Sequence, residues 1–346
     1  MKTAADIKIA FFDTKPYDRE SFERQNLAFG FQLKFFPSHL TDETVALCKG
    51  YDAVCVFVND RVTKAVVDAL VDLGVPLVVL RSAGYNNVDL KAARGRIKLS
   101  RVPAYSPHGV AEHAVAMMLT LNRHTHRAFY RTRDNNFSIN GLVGFDMFGK
   151  TAGIVGTGQI GRIVAEILKG FGMRVLAYDP FPAAAWAAEK GIELVDLGVL
   201  YEQSDILTLH CPLTPQNIHM INRGTLELMK SGVMIINTGR GKLIRSEDLL
   251  EALREGKVGS AGLDVYEEET DYFFEDYSST IMKDDVLARL ISFPNVLVTS
   301  HQAFFTHEAL ANIAVTTLEN VRSFFVDDKV ANEVCADPSK DGICRD

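Results

Sequence analysis

The chain has 346 residues, 47% of them hydrophobic and 23% charged, with a formal net charge of −7. That length supports two domains with separate cores, and an acidic balance with scattered lysines and arginines excludes a basic nucleic-acid-binding field. The apolar run Ile9-Ala10-Phe11-Phe12 stops at Asp13, too short for a signal peptide, and no run is long enough to span a bilayer. Five widely spaced cysteines suit reduced thiols, so a cytoplasmic protein with no membrane partner is expected.

Taken in order, Ile7–Phe12, Gln32–Phe36, Ala53–Val58, Leu77–Leu80 and Lys98–Val102 are short apolar or alternating runs. Helix-like segments such as Thr63–Leu73 separate them, which is the βα alternation of a parallel sheet covered by helices. A first domain is thereby complete by about residue 105. The loop Arg81-Ser82-Ala83-Gly84-Tyr85-Asn86-Asn87-Val88-Asp89 follows its fourth strand, where such sheets carry ligand-binding loops, although by itself it reads as a polar strand-to-helix turn. From Val110 to about Arg131 the apolar positions Ala111, Ala114, Val115, Met117, Met118 and Leu121 predict one long helix buried between domains or subunits.

The stretch Thr151–Arg162 organises the second half. An apolar strand meets a G-x-G-x-x-G turn, and Ile160, Ile163, Val164, Ile167 and Leu168 continue at helical spacing. Gly156 allows the tight turn, Gly158 lets the backbone approach a pyrophosphate, and Gly161 lets the helix lie close on the strand. The amides opening the helix face the anion. A second strand, Met173–Tyr178, ends at Asp179, close to the spacing of about 20 residues at which an acid binds a ribose 2′-hydroxyl. Its charge would repel a 2′-phosphate, so NAD is expected rather than NADP.

Four further strands end in polar loops: Ile206–Leu209 in His210-Cys211-Pro212, Val233–Ile236 in Asn237-Thr238-Gly239-Arg240-Gly241, Ser260–Leu263 in Asp264-Val265-Tyr266, and Val296–Thr299 in Ser300-His301. In a doubly wound sheet all these ends share one edge, so Arg240 and His301 should converge. An arginine fork holds a carboxylate and polarises the adjacent carbonyl; a histidine donates protons near neutral pH, steadied by a carboxylate. Glu267-Glu268-Glu269 supplies three candidates for that carboxylate. No His-Glu-x-x-His, Cys-x-x-Cys or Gly-x-Ser-x-Gly occurs, so neither a metal site nor a serine nucleophile is expected.

The ordered motifs Gly156-Thr157-Gly158-Gln159-Ile160-Gly161, His210-Cys211-Pro212-Leu213-Thr214, Asn237-Thr238-Gly239-Arg240-Gly241, Gly262-Leu263-Asp264-Val265-Tyr266 and Ser300-His301 resemble the serial signatures of the D-isomer-specific 2-hydroxyacid dehydrogenases. The match covers nearly the whole chain. Arg81–Asp89, Val102-Pro103-Ala104-Tyr105-Ser106-Pro107 and Tyr272-Phe273-Phe274-Glu275-Asp276 most resemble the fermentative branch, which reduces pyruvate to D-lactate.

The resemblance implies two doubly wound parallel-sheet α/β domains, with a Rossmann-type NAD domain, residues 106–303, inserted in a flavodoxin-like substrate domain, residues 1–105 and 304–346. It implies that Arg240 binds the substrate carboxylate and carbonyl, that His301 is the acid–base, and that Glu269 pairs with His301. Backbone amides of Ala83 and Gly84 would hold the carboxylate, with Tyr105 and Phe304 as walls that suit a small substituent. Gly156, Gly158, Gln159, Ile160, Gly161, Asp179, Cys211, Pro212, Asn217, Thr238, Gly239, Arg240 and Asp264 would contact NAD. The neighbouring acids would shift the Glu269 carboxyl upward. A homodimer is implied, a tetramer being the other option. The competing readings are a family member for another 2-oxo acid, of hydroxyisocaproate or glyoxylate type, and an NAD-sensing binding protein.

Overall fold

The computed structural model describes residues 3–268 and 272–334. It divides into two compact units, residues 1–106 with 305–346 and residues 107–304. The first unit holds β1 (Lys8–Phe11), α1 (Pro16–Asn26), β2 (Gln32–Phe35), β3 (Ala53–Val56), α2 (Lys64–Asp72), β4 (Leu77–Leu80), α3 (Leu90–Ala93) and β5 (Lys98–Arg101). Its five strands are parallel, in the order β2-β1-β3-β4-β5. The central strands are buried along their whole length, as strands covered on both faces must be. Phe11 packs its ring 4.7 Å from that of Phe22 on α1. Ala10, Val54, Val56, Val78 and Leu80 join Val66 and Leu70 of α2 on the other face. Thr63 starts α2 by accepting the amide of Val66 at 3.2 Å, the N-cap bond that ends the preceding loop.

The second unit begins with α4 (Pro107–Arg123) and α5 (Thr125–Arg133), followed by β6 (Thr151–Val155), α6 (Gln159–Gly170), β7 (Arg174–Tyr178), α7 (Ala184–Lys190), β8 (Glu193–Leu194), α8 (Leu197–Gln203) and β9 (Ile206–Leu209). It continues with α9 (Arg223–Leu228), β10 (Val233–Asn237), α10 (Ser246–Arg254), β11 (Val258–Leu263), α11 (Asp285–Ser292) and β12 (Val296–Val298). The sheet order is β12-β11-β10-β9-β6-β7-β8, all parallel. From β6 the chain runs outward one way to β8 and then resumes beside β6 with β9, so the switch point lies between β6 and β9. Two separate apolar clusters fill the two faces. After β12 the chain returns to the first unit with α12 (His307–Phe325), which packs on α1, β4 and β5.

One expectation is corrected. The single helix expected over residues 110–131 is two, because His124 takes a left-handed φ of 50° between α4 and α5. Asn122 turns its side chain out of the helix to pair with the backbone of Phe145, each bond 2.8 Å, and this contact ends α4. The apolar face of α4 packs on α6, β10 and β11 of its own unit. Helix α5 buries none of its residues. No helix among the described residues is long and apolar enough to cross a membrane. Cys48, Cys55 and Cys211 are free thiols; Cys335 and Cys344 lie outside the described residues.

Candidate active site

Strand register places the candidate residues of the second unit in one row. Val155, Leu209, Asn237, Leu263 and Val298 are successive partners across β6, β9, β10, β11 and β12. The residues that follow them, Gly156, His210, Thr238, Asp264 and Thr299, therefore leave the sheet along the same edge, beside the switch point where α/β sheets bind ligands.

The phosphate loop is held by close backbone contacts. Gly156 has a φ of 99°, and a Cβ there would sit 2.7 Å from the His210 carbonyl. At Gly161 a Cβ would meet the Gly156 carbonyl at 1.9 Å, which is why α6 can start directly beneath the turn. A Cβ on Gly158 would meet no atom within 4 Å, and Gly158 is the N-cap of α6 with no side-chain cap, so no capping side chain occupies the amides that open the helix. Gln159 is exposed and Ile160 half-buried at that same turn. Asp179 leaves β7 with Oδ2 accepting the Thr157 amide at 2.6 Å and hydroxyl at 3.0 Å, while Oδ1 accepts the Phe181 amide. The acid is thus held at the loop where a ribose would lie. Thr238 adds a buried hydroxyl with no hydrogen-bond partner among the described residues. This cradle, uncapped helix and orphaned hydroxyl fit a dinucleotide.

Cys211 is half-buried and Pro212 exposed. Burial pushes the Cys211 thiol up to about 11, which makes it a packing group rather than a nucleophile. Asn217 closes the loop after Pro212, donating to its carbonyl at 2.8 Å and accepting the Thr214 amide at 2.7 Å. His210 donates to or accepts from the Thr208 hydroxyl at 2.8 Å, and burial lowers it to about 4, so it is neutral beside the phosphate loop.

The Arg240 turn is shaped by Asn237, whose side chain accepts the Gly239 amide at 3.0 Å and donates to the Arg240 carbonyl at 2.9 Å. Arg240 is half-buried and gives one guanidinium nitrogen to the Gly239 carbonyl at 2.8 Å. Gly241 then passes so close to the segment after β11 that a Cβ would lie 2.0 Å from the Tyr266 carbonyl. His301 sits in a left-handed turn, φ 49°, with its ring centroid 5.8 Å from that of Phe274. Phe304 is buried in the same unit.

Asp264 is fully buried, and its carboxylate faces the His301 loop. Its Oδ1 accepts the Thr299 hydroxyl at 2.5 Å and the Gln302 amide at 2.9 Å, its Oδ2 accepts the Ala303 amide at 2.9 Å, and its carbonyl accepts the His301 amide at 2.8 Å. Sequence reasoning placed Asp264 at the edge but had no signal for this orientation. Of the three glutamates, Glu267 is committed elsewhere: it pairs with His219, and its other oxygen accepts the Ser246 amide at the start of α10. Glu268 is exposed, and Glu269 lies outside the described residues.

In the first unit, the carbonyls of Ser82 and Ala83 accept the Val102 amide at 3.2 Å and the Arg101 guanidinium at 2.7 Å. In trans peptides this turns the amides of Ala83 and Gly84 away from β5. Tyr105 is half-buried and its carbonyl accepts Asn312 at 2.7 Å.

Residues 115–303 match the family described as D-isomer specific 2-hydroxyacid dehydrogenase, NAD binding domain. The D-lactate dehydrogenase of Escherichia coli is 53% identical over 329 residues, 95% of this chain and 100% of that protein. An apo structure of D-lactate dehydrogenase from Escherichia coli aligns with a TM-score of 0.88 and 50% identity, over 95% of this chain and 100% of that chain. A structure of the pyruvate reductase of Chlamydomonas reinhardtii aligns with a TM-score of 0.91 at 42% identity, over 95% of this chain and 99% of that chain.

Proposed function

The chain belongs to the D-isomer-specific 2-hydroxyacid dehydrogenases, and from that premise we propose that it interconverts pyruvate and D-lactate with NAD. The observation that carries this reading is end-to-end identity of 53% to a D-lactate dehydrogenase. Arg240, on its Asn237-ordered turn, grips the substrate carboxylate and polarises the keto oxygen. In this reading the amides of Ala83 and Gly84 also bind the substrate carboxylate, and Tyr105 and Phe304 are substrate-side residues that suit a methyl group. His301 gives its proton to the keto oxygen as that oxygen becomes a hydroxyl, and Glu269 steadies the imidazolium. When bound, the reduced nicotinamide supplies the hydride to the keto carbon. Amides at Gln159, Ile160 and Gly161 bind the pyrophosphate. Asp179 takes the adenosine ribose, and its charge turns away a 2′-phosphate.

Mixing the protein and NADH with pyruvate, glyoxylate, phenylpyruvate and 2-oxoisocaproate separately tests this. Pyruvate should be consumed fastest and yield the D product. A preference for a bulkier or shorter acid would leave the chemistry and replace the substrate, and no oxidation with any of them would leave an NAD-binding protein without this activity.

The protein in this reading is a cytoplasmic homodimer. Phe129, Tyr130, Phe137, Ile139 and Phe148 all stand exposed on α5 and the segment after it, and Val143 is 86% exposed. Large apolar side chains left exposed over one stretch of chain are what an interface between proteins would cover, and most soluble oligomers are closed homodimers. Sedimentation should give roughly twice the chain mass of 38.3 kDa; a single-chain mass would remove the proposal, and a four-chain mass would add a second interface.

A further inference from the structure

His113 lies on α4, remote in sequence from the loop that carries His301, and no motif singles it out. It is half-buried, with Nε2 3.1 Å from the Thr299 hydroxyl and 3.5 Å from Oδ1 of Asp264. Proton accounting fixes the direction of this contact. Thr299 has one hydroxyl proton and gives it to Asp264 at 2.5 Å, so His113 is the donor and Thr299 the acceptor. A chain of donors thus runs from α4 through Thr299 to Asp264, and Asp264 in turn collects the Gln302 and Ala303 amides on its carboxylate and the His301 amide on its carbonyl. Asp264 is fully buried, and a carboxylate so placed depends on every donor it has. The loop it organises includes a non-glycine residue in the left-handed region, His301 at φ 49°, a conformation that persists only where surrounding bonds over-determine it.

We propose that His113 is a positioning residue for His301, fixing the orientation of its imidazole through Thr299 and Asp264. The inference rests on the reading of His301 as the proton donor. It separates His113 from the groups that touch substrate: removing it should move kcat and leave binding alone. It also places the helix that opens the second unit, rather than only the loops at the sheet edge, within the apparatus that sets turnover.

Steady-state kinetics on pyruvate and NADH test this in the full-length enzyme. His113→Leu should lower kcat about tenfold, the kinetic equivalent of one lost hydrogen bond, with the KM for pyruvate and the NADH dissociation constant within about twofold of wild type. His113→Gln, which keeps an N–H donor at similar reach, should restore most of the loss. Thr299→Val should match His113→Leu, and the double variant should be no worse than either single one, because both break the same chain. Wild-type kcat in His113→Leu, multiplicative losses in the double variant, or no recovery with Gln would each overturn the proposal. Should His113→Leu fail to fold, Thr299→Val and His113→Gln still decide it: kcat must fall in the first and be largely kept in the second. His301→Ala is measured alongside. Normal turnover in that variant would defeat the underlying reading, whereas an inactive His301→Ala beside a fully active His113→Leu would defeat only this inference.

Discussion

Replacing His301 with alanine is expected to lower kcat for pyruvate reduction by about 10²–10⁴, the usual worth of a general acid, while NADH binds as in the wild type. The asymmetry follows from where the side chain stands. His301 leaves the sheet edge at β12, whereas the phosphate loop and Asp179 belong to β6, α6 and β7, so the alanine removes no group proposed to hold the pyrophosphate or the ribose. The turn itself should survive, because its anchors are the His301 amide and the amides of Gln302 and Ala303 on Asp264, none of which is a side-chain contact of His301. Stopped-flow or steady-state turnover, paired with fluorescence titration of NADH, separates the two effects. Retention of wild-type kcat would take the acid–base role away from His301; loss of NADH affinity in step with kcat would mean that the imidazole acts in binding instead.

The second large effect is on stability. Arg81 is the bulkiest fully buried side chain of the first unit, 1% exposed at the end of β4. Its guanidinium donates to the Asp13 carbonyl at 2.6 Å, lies 3.4 Å from the Asp18 carboxylate and stacks 4.8 Å over the Phe57 ring. Burial works against its charge, and Asp18, Cys55, Asp60 and Asp13 more than offset that, holding it above the usual arginine range. Asp60 shows how dry the cluster is: burial pushes its carboxyl up to about 6 even though Arg81 and the amides of Leu40 and Phe57 pull it down. Arg81→Met would leave these acids without their buried cation. Breaking a buried pair from one side costs about 3–5 kcal/mol, so urea unfolding followed by circular dichroism should show the unfolding midpoint moved to much lower denaturant. An unchanged midpoint would mean that the acids neutralise without cost. Arg81 also begins the loop whose Ala83 and Gly84 amides are proposed to hold the substrate carboxylate, so on that proposal a folded variant should show a raised KM for pyruvate.

The sequence by itself determined the architecture. Strands buried on both faces are continuous apolar runs bounded by polar turns, so β4 and β9 occupy the expected residues and the other expected strands differ only at their ends, while the two-residue edge strand β8 was not expected. The phosphate loop was equally legible, since the demand for glycine at Gly156 and Gly161 arises within a few residues of chain, from a positive φ and a backbone carbonyl that a Cβ would strike. The shared sheet edge followed from topology alone, and it located Arg240, Asp264 and His301.

What the side chains do at that edge was decided only by tertiary structure. Helical periodicity runs unbroken through His124, and the break there comes from Asn122 pairing with Phe145, a contact across a loop. Three adjacent glutamates look alike in sequence; only the folded chain shows His219 and Ser246, distant along the chain, claiming Glu267. Asp264 reads from the sequence only as a residue at the sheet edge, and the folded chain shows its carboxylate buried among the amides of the His301 loop, with His113 reaching it from α4. Local pattern reports which residues are apolar and where the backbone must bend, because both are properties of a few consecutive residues. The direction of a polar side chain is settled by whichever donor or acceptor the finished fold brings within about 3 Å, and that partner can lie anywhere in the chain.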